Sequence, residues 1–165
     1  MTNFVATAID PDTLAQLRVR DDAGLTPRVT VYDEGGEPMR CCLRYSNAGE
    51  RMALVSYAPL RRWAARTGAE PGPYEELGPV FVHAEPCGGP EGTGFPIGMG
   101  GERRVFRAYD KSGAILGGRL VDRHASKDAA ASEAVLAEQF ADPAVAMVHV
   151  RCVEFGCFLF EVHHA

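Results

Sequence analysis

The sequence lacks three features, each of which would indicate a particular class of protein. No run is rich in lysine and arginine, and the net charge is −5 at neutral pH, so neither nucleic acid nor an anionic membrane surface is expected as a partner. No apolar run approaches the length of a membrane span, and the first residues do not resemble a secretion signal. No two cysteines have the Cys-x-x-Cys spacing of many zinc sites. The second absence, of a membrane span and of a secretion signal, predicts a cytoplasmic protein.

The composition that remains is that of an ordinary globular domain. The 165 residues are 46% hydrophobic and 24% charged, which predicts one domain over residues 1–165 with a core that needs no disulfide support. The five cysteines are an odd number and are expected to be free thiols in a reducing compartment. A glycine- and proline-rich loop at 86–101 is too permissive for regular structure, so it is either a mobile lid or a disordered excursion.

The order of predicted elements is α+β, with a mostly antiparallel sheet, one main helix in the C-terminal half and a short N-terminal helix. The short helix begins at Pro11 and can be capped by Asp10, and the main helix runs from about 127 to 140 with an apolar stripe. Residues 39–45 and 52–57 are predicted to form a hairpin. Further strands are predicted from alternating patterns at 80–85, 103–110, 114–121, 145–155 and 157–163.

Ionisable and apolar side chains alternate along several of these strands, so the ionisable ones share a face. If the strands belong to one sheet, that sheet has one apolar face and one ionisable face. The ionisable face either meets water or lines a site, and a wet face would contain more lysine, glutamate and threonine than this one does. The residues predicted to share it are His83, Glu85, Arg107, Tyr109, His149, Arg151, Cys157 and Glu161.

A pocket on this face would give its side chains definite chemical roles. His83 or His149 can move a proton near neutral pH, and Cys41 or Cys87 can act as a nucleophile, so these four are the candidate catalytic residues. Arginine forks bind carboxylates and phosphates. The candidate substrate-binding residues are Arg44, Glu85, Arg107, Tyr109, Arg151 and Cys157. The leading hypothesis is an enzyme or ligand-binding protein for a small anionic metabolite, with no cofactor.

Two alternatives stay open. The same His/Arg/Tyr face can be the interface of a non-catalytic homodimeric interaction module, because tyrosine and arginine are enriched at such interfaces. A metal site would need His83 and Cys87 as two ligands and Cys41 or His149 as a third. This spacing is not typical of metal sites, and neighbouring Cys41 and Cys42 would point to opposite sides of a strand. No bound metal is therefore predicted.

A resemblance to a known family rests on five motifs that occur in the same order. The motifs are PMRCCLR (38–44), GPVFVH (78–83), FRAYD (106–110), ADPAVAMVHVR (141–151) and FGCFLF (155–160). Together they cover most of the chain and resemble family 1203 of the domains of unknown function, a group of small bacterial proteins. Because the activity of that family is unassigned, the resemblance implies no reaction, cofactor or partner beyond the hypotheses above.

Overall fold

The computed structural model describes residues 3–165, so Met1 and Thr2 of the predicted domain lie outside the described residues. Within this range the chain forms ten strands and four α-helices, which confirms the α+β fold class. The strands are β1 (Phe4–Thr7), β2 (Arg28–Val31), β3 (Pro38–Met39), β4 (Arg44–Tyr45), β5 (Arg51–Tyr57), β6 (Gly78–His83), β7 (Arg103–Tyr109), β8 (Ile115–Asp122), β9 (Met147–Cys152) and β10 (Phe158–His164). The helices are α1 (Pro11–Val19), α2 (Pro59–Thr67), α3 (Arg123–Ser126) and α4 (Ala129–Phe140).

The strands form two five-stranded sheets. The first sheet has the order β1-β10-β9-β7-β8 and is antiparallel throughout. The second has the order β2-β5-β6-β3-β4, with a parallel contact where Met39 of β3 faces Phe81 of β6. The expectation that the polar strands share one sheet is wrong, because His83 lies in the second sheet and Arg107 and His149 lie in the first. Alternation along a strand fixes which side chains share a face, but it does not fix which strands pair.

Helix α4 covers the apolar face of the first sheet. Its Leu136 and Phe140 are 1% and 7% exposed and belong to one buried cluster with Phe106 of β7. The main helix predicted from about residue 127 begins at Ala129, and a separate short helix, α3, precedes it. Helix α3 ends before α4 begins, and the Asp128 side chain caps α4 by accepting a hydrogen bond from Ala131 N at 2.9 Å. The main C-terminal helix is therefore confirmed, with a later start.

Helices α1 and α2 also pack on the sheets, α1 on the second sheet and α2 on the first. The short N-terminal helix is confirmed as α1, and its Leu17 packs into a buried cluster with Val82 of the second sheet. Trp63 of α2 packs on Tyr109 and Met147, which lie on the polar face of the first sheet. None of the helices in residues 3–165 combines the length and the apolar character needed to cross a membrane.

The loop at 86–101 is packed against the first sheet rather than extended from it. The ring of Phe95 lies with its centroid 5.7 Å from that of Phe106 and 5.6 Å from that of Phe160. Met99 is 1% exposed, and the amide of Ala6 donates to Thr93 O at 3.0 Å. These contacts anchor the middle and the end of the loop.

Candidate metal centre

Cys41 and Cys42 lie in a tight turn between β3 and β4. The amide of Leu43 donates to Met39 O at 2.9 Å, and Leu43 has a left-handed φ of 56°. The predicted strand over 39–45 is therefore wrong, as is its hairpin with β5, because β4 pairs with β3. Since a turn holds the two cysteines, strand alternation does not separate their thiols, and the Sγ atoms lie 4.0 Å apart.

His83, at the end of β6, and Cys87, just beyond it, complete a cluster of four candidate metal ligands. His83 Nδ1 lies 3.2 Å from Cys41 Sγ and 3.7 Å from Cys42 Sγ. All four ligand atoms lie within 4.8 Å of one another. A tetrahedral site with Zn–S bonds of about 2.3 Å and a Zn–N bond of about 2.05 Å separates its ligand atoms by roughly 3.6–3.8 Å. The cluster has nearly the dimensions that such a site requires.

Main-chain contacts hold the turn against β6. The amide of Arg40 donates to Phe81 O at 3.0 Å, and the amide of His83 donates to Cys41 Sγ at 3.2 Å. From the other side, Arg18 of α1 donates from Nε to His83 O at 3.0 Å. Three of the four ligands are thus placed by packed structure, and Cys87 is the exposed member of the cluster.

A carboxylate, that of Glu50, lies next to the His83 ring nitrogen that is not directed at the cysteines. His83 Nε2 is buried and makes no well-formed hydrogen bond within the described residues, and Glu50 Oε2 is 3.3 Å away. Arg44 holds the same carboxylate through Nη2–Oε1 and Nη1–Oε2 contacts of 2.6 and 3.0 Å, and Asn47 N donates to Oε2 at 2.7 Å. The Arg44 hydrogen bond lowers the pKa of Glu50 to about 2, so the carboxylate is ionised at neutral pH. A carboxylate at the far nitrogen orients a metal-ligating imidazole and favours the tautomer whose near nitrogen is free to bind.

The protonation of the three thiols is coupled. Hydrogen bonding to Cys42, followed by burial, raises the pKa of Cys41, and the hydrogen bond from Cys41 lowers the pKa of Cys42. Burial raises the pKa of Cys87. A thiol with a raised pKa is a poor nucleophile, which counts against the catalytic roles expected for Cys41 and Cys87. A divalent cation deprotonates the thiols that coordinate it, so these groups suit metal binding better than attack on a substrate.

Arg107 and Arg151 are brought together, but a carboxylate of the chain lies between them. Glu76 Oε1 lies 2.9 Å from Arg107 Nη1, and Glu76 Oε2 lies 2.9 Å from Arg151 Nη2. One carboxylate thus offsets both guanidinium groups. Their predicted role in binding an anionic substrate stays a prediction, and the geometry favours a structural ion-pair cluster.

His149 shares a face with Arg107, as its strand pairing requires, but it is 0% exposed. Its Nε2 lies 3.3 Å from Glu161 Oε2, and its ring packs on Tyr109 with a centroid distance of 4.6 Å. Because Tyr109 is itself 1% exposed, the His/Arg/Tyr face is largely covered by the chain. A homodimer interface would need other residues, and the homodimer itself stays a prediction.

The remaining predicted residues fall in three different places. Glu85 makes an exposed ion pair with Arg51 at 3.0 Å and is not a member of the metal-ligand cluster. Arg44 lies beside that cluster through its contact with Glu50. Cys157 is half-buried and lines a cleft that both sheets border. The predicted site therefore does not come together as one pocket.

Sequence reasoning missed Cys42 and Glu50. Cys42 was excluded because residues 39–45 were expected to form a strand, and no glycine or proline in the 40–43 turn signals otherwise. Glu50 carries no local signal, since its relation to His83 depends on the pairing of β5 with β6. The alternative metal site of His83, Cys87 and Cys41 did contain three members of the cluster, and the signal for it was the residue types, which are those that zinc prefers.

The comparisons with known proteins give one match. A family model described as "Protein of unknown function (DUF1203)" matches residues 36–164, and all four members of the metal-ligand cluster lie in that region. No curated protein and no solved structure gives a significant match.

Proposed function

We propose that this chain, which belongs to the DUF1203 family, binds one zinc ion through Cys41, Cys42, His83 and Cys87. The observation that carries the proposal is the spacing of the four ligand atoms, all within 4.8 Å of one another. Burial supports it as well, because Cys41, Cys42 and His83 are 1%, 8% and 7% exposed. Three buried thiol and imidazole groups that converge on one point are what a preformed metal site requires.

The ligand set favours zinc over other divalent ions. Thiolates are soft ligands that magnesium and calcium avoid, and a tetrahedral arrangement of three sulfurs and one nitrogen is typical of structural zinc. Four protein ligands fill the tetrahedron, so no position is left for water or substrate. The zinc is therefore a structural ion in this proposal, and a catalytic role would need the exposed Cys87 to leave it.

The proposed ion would join two parts of the chain that are distant in sequence. Cys41 and Cys42 belong to the β3–β4 turn, and Cys87 begins the glycine-rich loop at 86–101. The far end of that loop is already held by Phe95 and Met99. Zinc would fix the near end through Cys87. The next two residues, Gly88 and Gly89, have left-handed φ values and restrict the backbone little by themselves.

The test is the metal content and the spectrum of the purified protein. We expect about one zinc per chain by mass spectrometry, and, after exchange for Co²⁺, the thiolate charge-transfer and visible bands of a tetrahedral site. Cys87→Ser is the sharpest variant, since an exposed side chain can change without disturbing the fold. It should weaken metal binding and alter the cobalt spectrum.

Cys157→Ser is the matched control, because that thiol is also partly exposed but lies outside the cluster. It should keep the native metal content and cobalt spectrum. If the protein takes up neither zinc nor Co²⁺, or if Cys87→Ser and Cys157→Ser bind metal equally well, the proposal is wrong.

A further inference from the structure

A second site of interest is an open cleft of about 780 Å³ that is bordered by both sheets. Its volume is in the range of small-molecule sites, which run from about 300 to 1,000 Å³. Two arginines line it, Arg40 from the β3–β4 turn and Arg104 from β7. The metal-ligand cluster does not line this cleft.

Arg40 is a buried cation without an acid partner. It is 3% exposed, and no carboxylate of residues 3–165 lies within 4.0 Å of its guanidinium. Its Nε donates to Phe158 O at 2.8 Å and its Nη1 to Pro38 O. Burial lowers the pKa of Arg40 to about 10, so the group is charged at neutral pH. A buried charge is costly unless an opposite charge compensates for it.

Arg104 is held at the same cleft by a fixed set of contacts. It is 4% exposed, and it donates to Met99 O at 3.1 Å and to the Tyr45 hydroxyl at 2.9 Å. Its nearest carboxylate, on Glu154, is 3.6 Å away. Gly101 leaves the space that the guanidinium fills, since a Cβ at this position would overlap it. The protein thus presents a second, nearly buried guanidinium in a defined place.

From this geometry we infer that the cleft binds a small organic carboxylate with an apolar body, whose carboxylate lies between Arg40 and Arg104. The planar guanidinium forks match a carboxylate, and hydrogen-bonding capacity remains on Arg40 Nη2, which has no acceptor within the described residues. Apolar side chains provide the rest of the wall, namely Phe81, Phe155 and Leu159.

The charged residues that line the cleft favour some anions over others. Three acidic residues, Glu37, Glu102 and Glu154, also line the cleft. Their negative charge disfavours a phosphate or another multiply charged anion, which would face three carboxylates and only two arginines. A ligand with a single carboxylate can bind the two arginines with the least repulsion from the three glutamates. The inferred ligand therefore has one negative charge.

The test uses the purified protein and pairs of probes that differ only in charge. Benzoate and hexanoate are compared with benzamide and hexanamide by NMR, with the Nε–H signals of Arg40 and Arg104 as the readout. We expect at least one of the carboxylates to shift both signals at millimolar concentration, and the neutral amides to shift neither. Inorganic phosphate is the third arm and should bind more weakly.

Gly101→Ala is the variant of choice, because its backbone conformation accepts alanine while a Cβ displaces the Arg104 guanidinium. It should weaken carboxylate binding about tenfold or more. Gly98→Ala in the same loop is the matched control, since its Cβ would meet nothing within 4 Å. The inference is overturned if neither carboxylate shifts the two signals, if the amides bind equally well, if phosphate binds more tightly, or if Gly101→Ala binds like Gly98→Ala.

Discussion

Replacing Glu50 by glutamine should weaken zinc binding without changing any metal ligand. The Glu50 carboxylate lies 3.3 Å from His83 Nε2 and is held in place by Arg44. Glutamine keeps one oxygen as an acceptor but loses the charge and the double contact with the arginine. Loss of a carboxylate behind a ligating histidine costs about 10–100-fold in metal affinity, or about 1.4–2.8 kcal/mol. We expect a change of this size for Glu50→Gln.

The affinity is measured by competition with a chromophoric zinc chelator. The Co²⁺ spectrum of Glu50→Gln should keep the bands of the native protein, because the same four atoms bind the metal. This second measurement separates a weakened site from an unfolded one, since a protein that had lost its fold would also lose the tetrahedral bands.

The control variant is Glu85→Gln. It removes the same charge at a position two residues from both His83 and Cys87, but its side chain is 61% exposed and pairs with Arg51. An exposed ion pair contributes little, so zinc affinity should change by about twofold or less. Equal losses for Glu50→Gln and Glu85→Gln would refute the argument, because the carboxylate would then act only through the overall charge of the region.

Two further predictions concern stability. Phe140→Ala should lower the free energy of unfolding by about 3–5 kcal/mol, because Phe140 is 7% exposed. The control Leu120→Ala, at an exposed position, should lower it by about 0.5 kcal/mol or less. A loss below about 1 kcal/mol for Phe140→Ala would show that α4 packs differently. Burial lowers the pKa of His149 in the folded state, so the unfolded chain takes up the proton first and the urea midpoint should fall as pH decreases below about 6.5. Both proteins carry Cys87→Ser, to avoid the pH dependence of zinc release. In this background, His149→Gln should make the urea midpoint fall less steeply with decreasing pH. A urea midpoint that rises as pH decreases would contradict a lowered pKa of His149.

The local structure followed from the sequence wherever one pattern decided it. The alternation of Val80 and Val82 with polar residues predicted β6, and both valines are buried as expected, at 2% and 0% exposed. The apolar stripe of Leu136 and Phe140 predicted α4 and the face that it buries. These patterns are local, since the period of the side chains is set by the backbone of a single element.

The pairing of strands could not be predicted in the same way. Val82 and Phe106 both mark buried strands, yet they lie in different sheets and in different buried clusters. The predicted site residues were grouped wrongly for a related reason, because His83 and Arg107 were combined on the assumption of one sheet. Contacts between distant segments decide such questions, and a period of two is the same in either sheet.

The turn between β3 and β4 serves the proposed metal site and the proposed carboxylate site at once. Cys41 and Cys42 direct their thiols towards His83, while the preceding Arg40 lines the cleft and the following Tyr45 accepts a hydrogen bond from Arg104. The turn depends on Leu43 in a left-handed conformation, which is unfavourable for leucine and needs support from its surroundings. In the proposed metal site, a zinc ion bound by both cysteines would supply that support. We therefore expect the bound ion to hold Arg40 at the wall of the cleft.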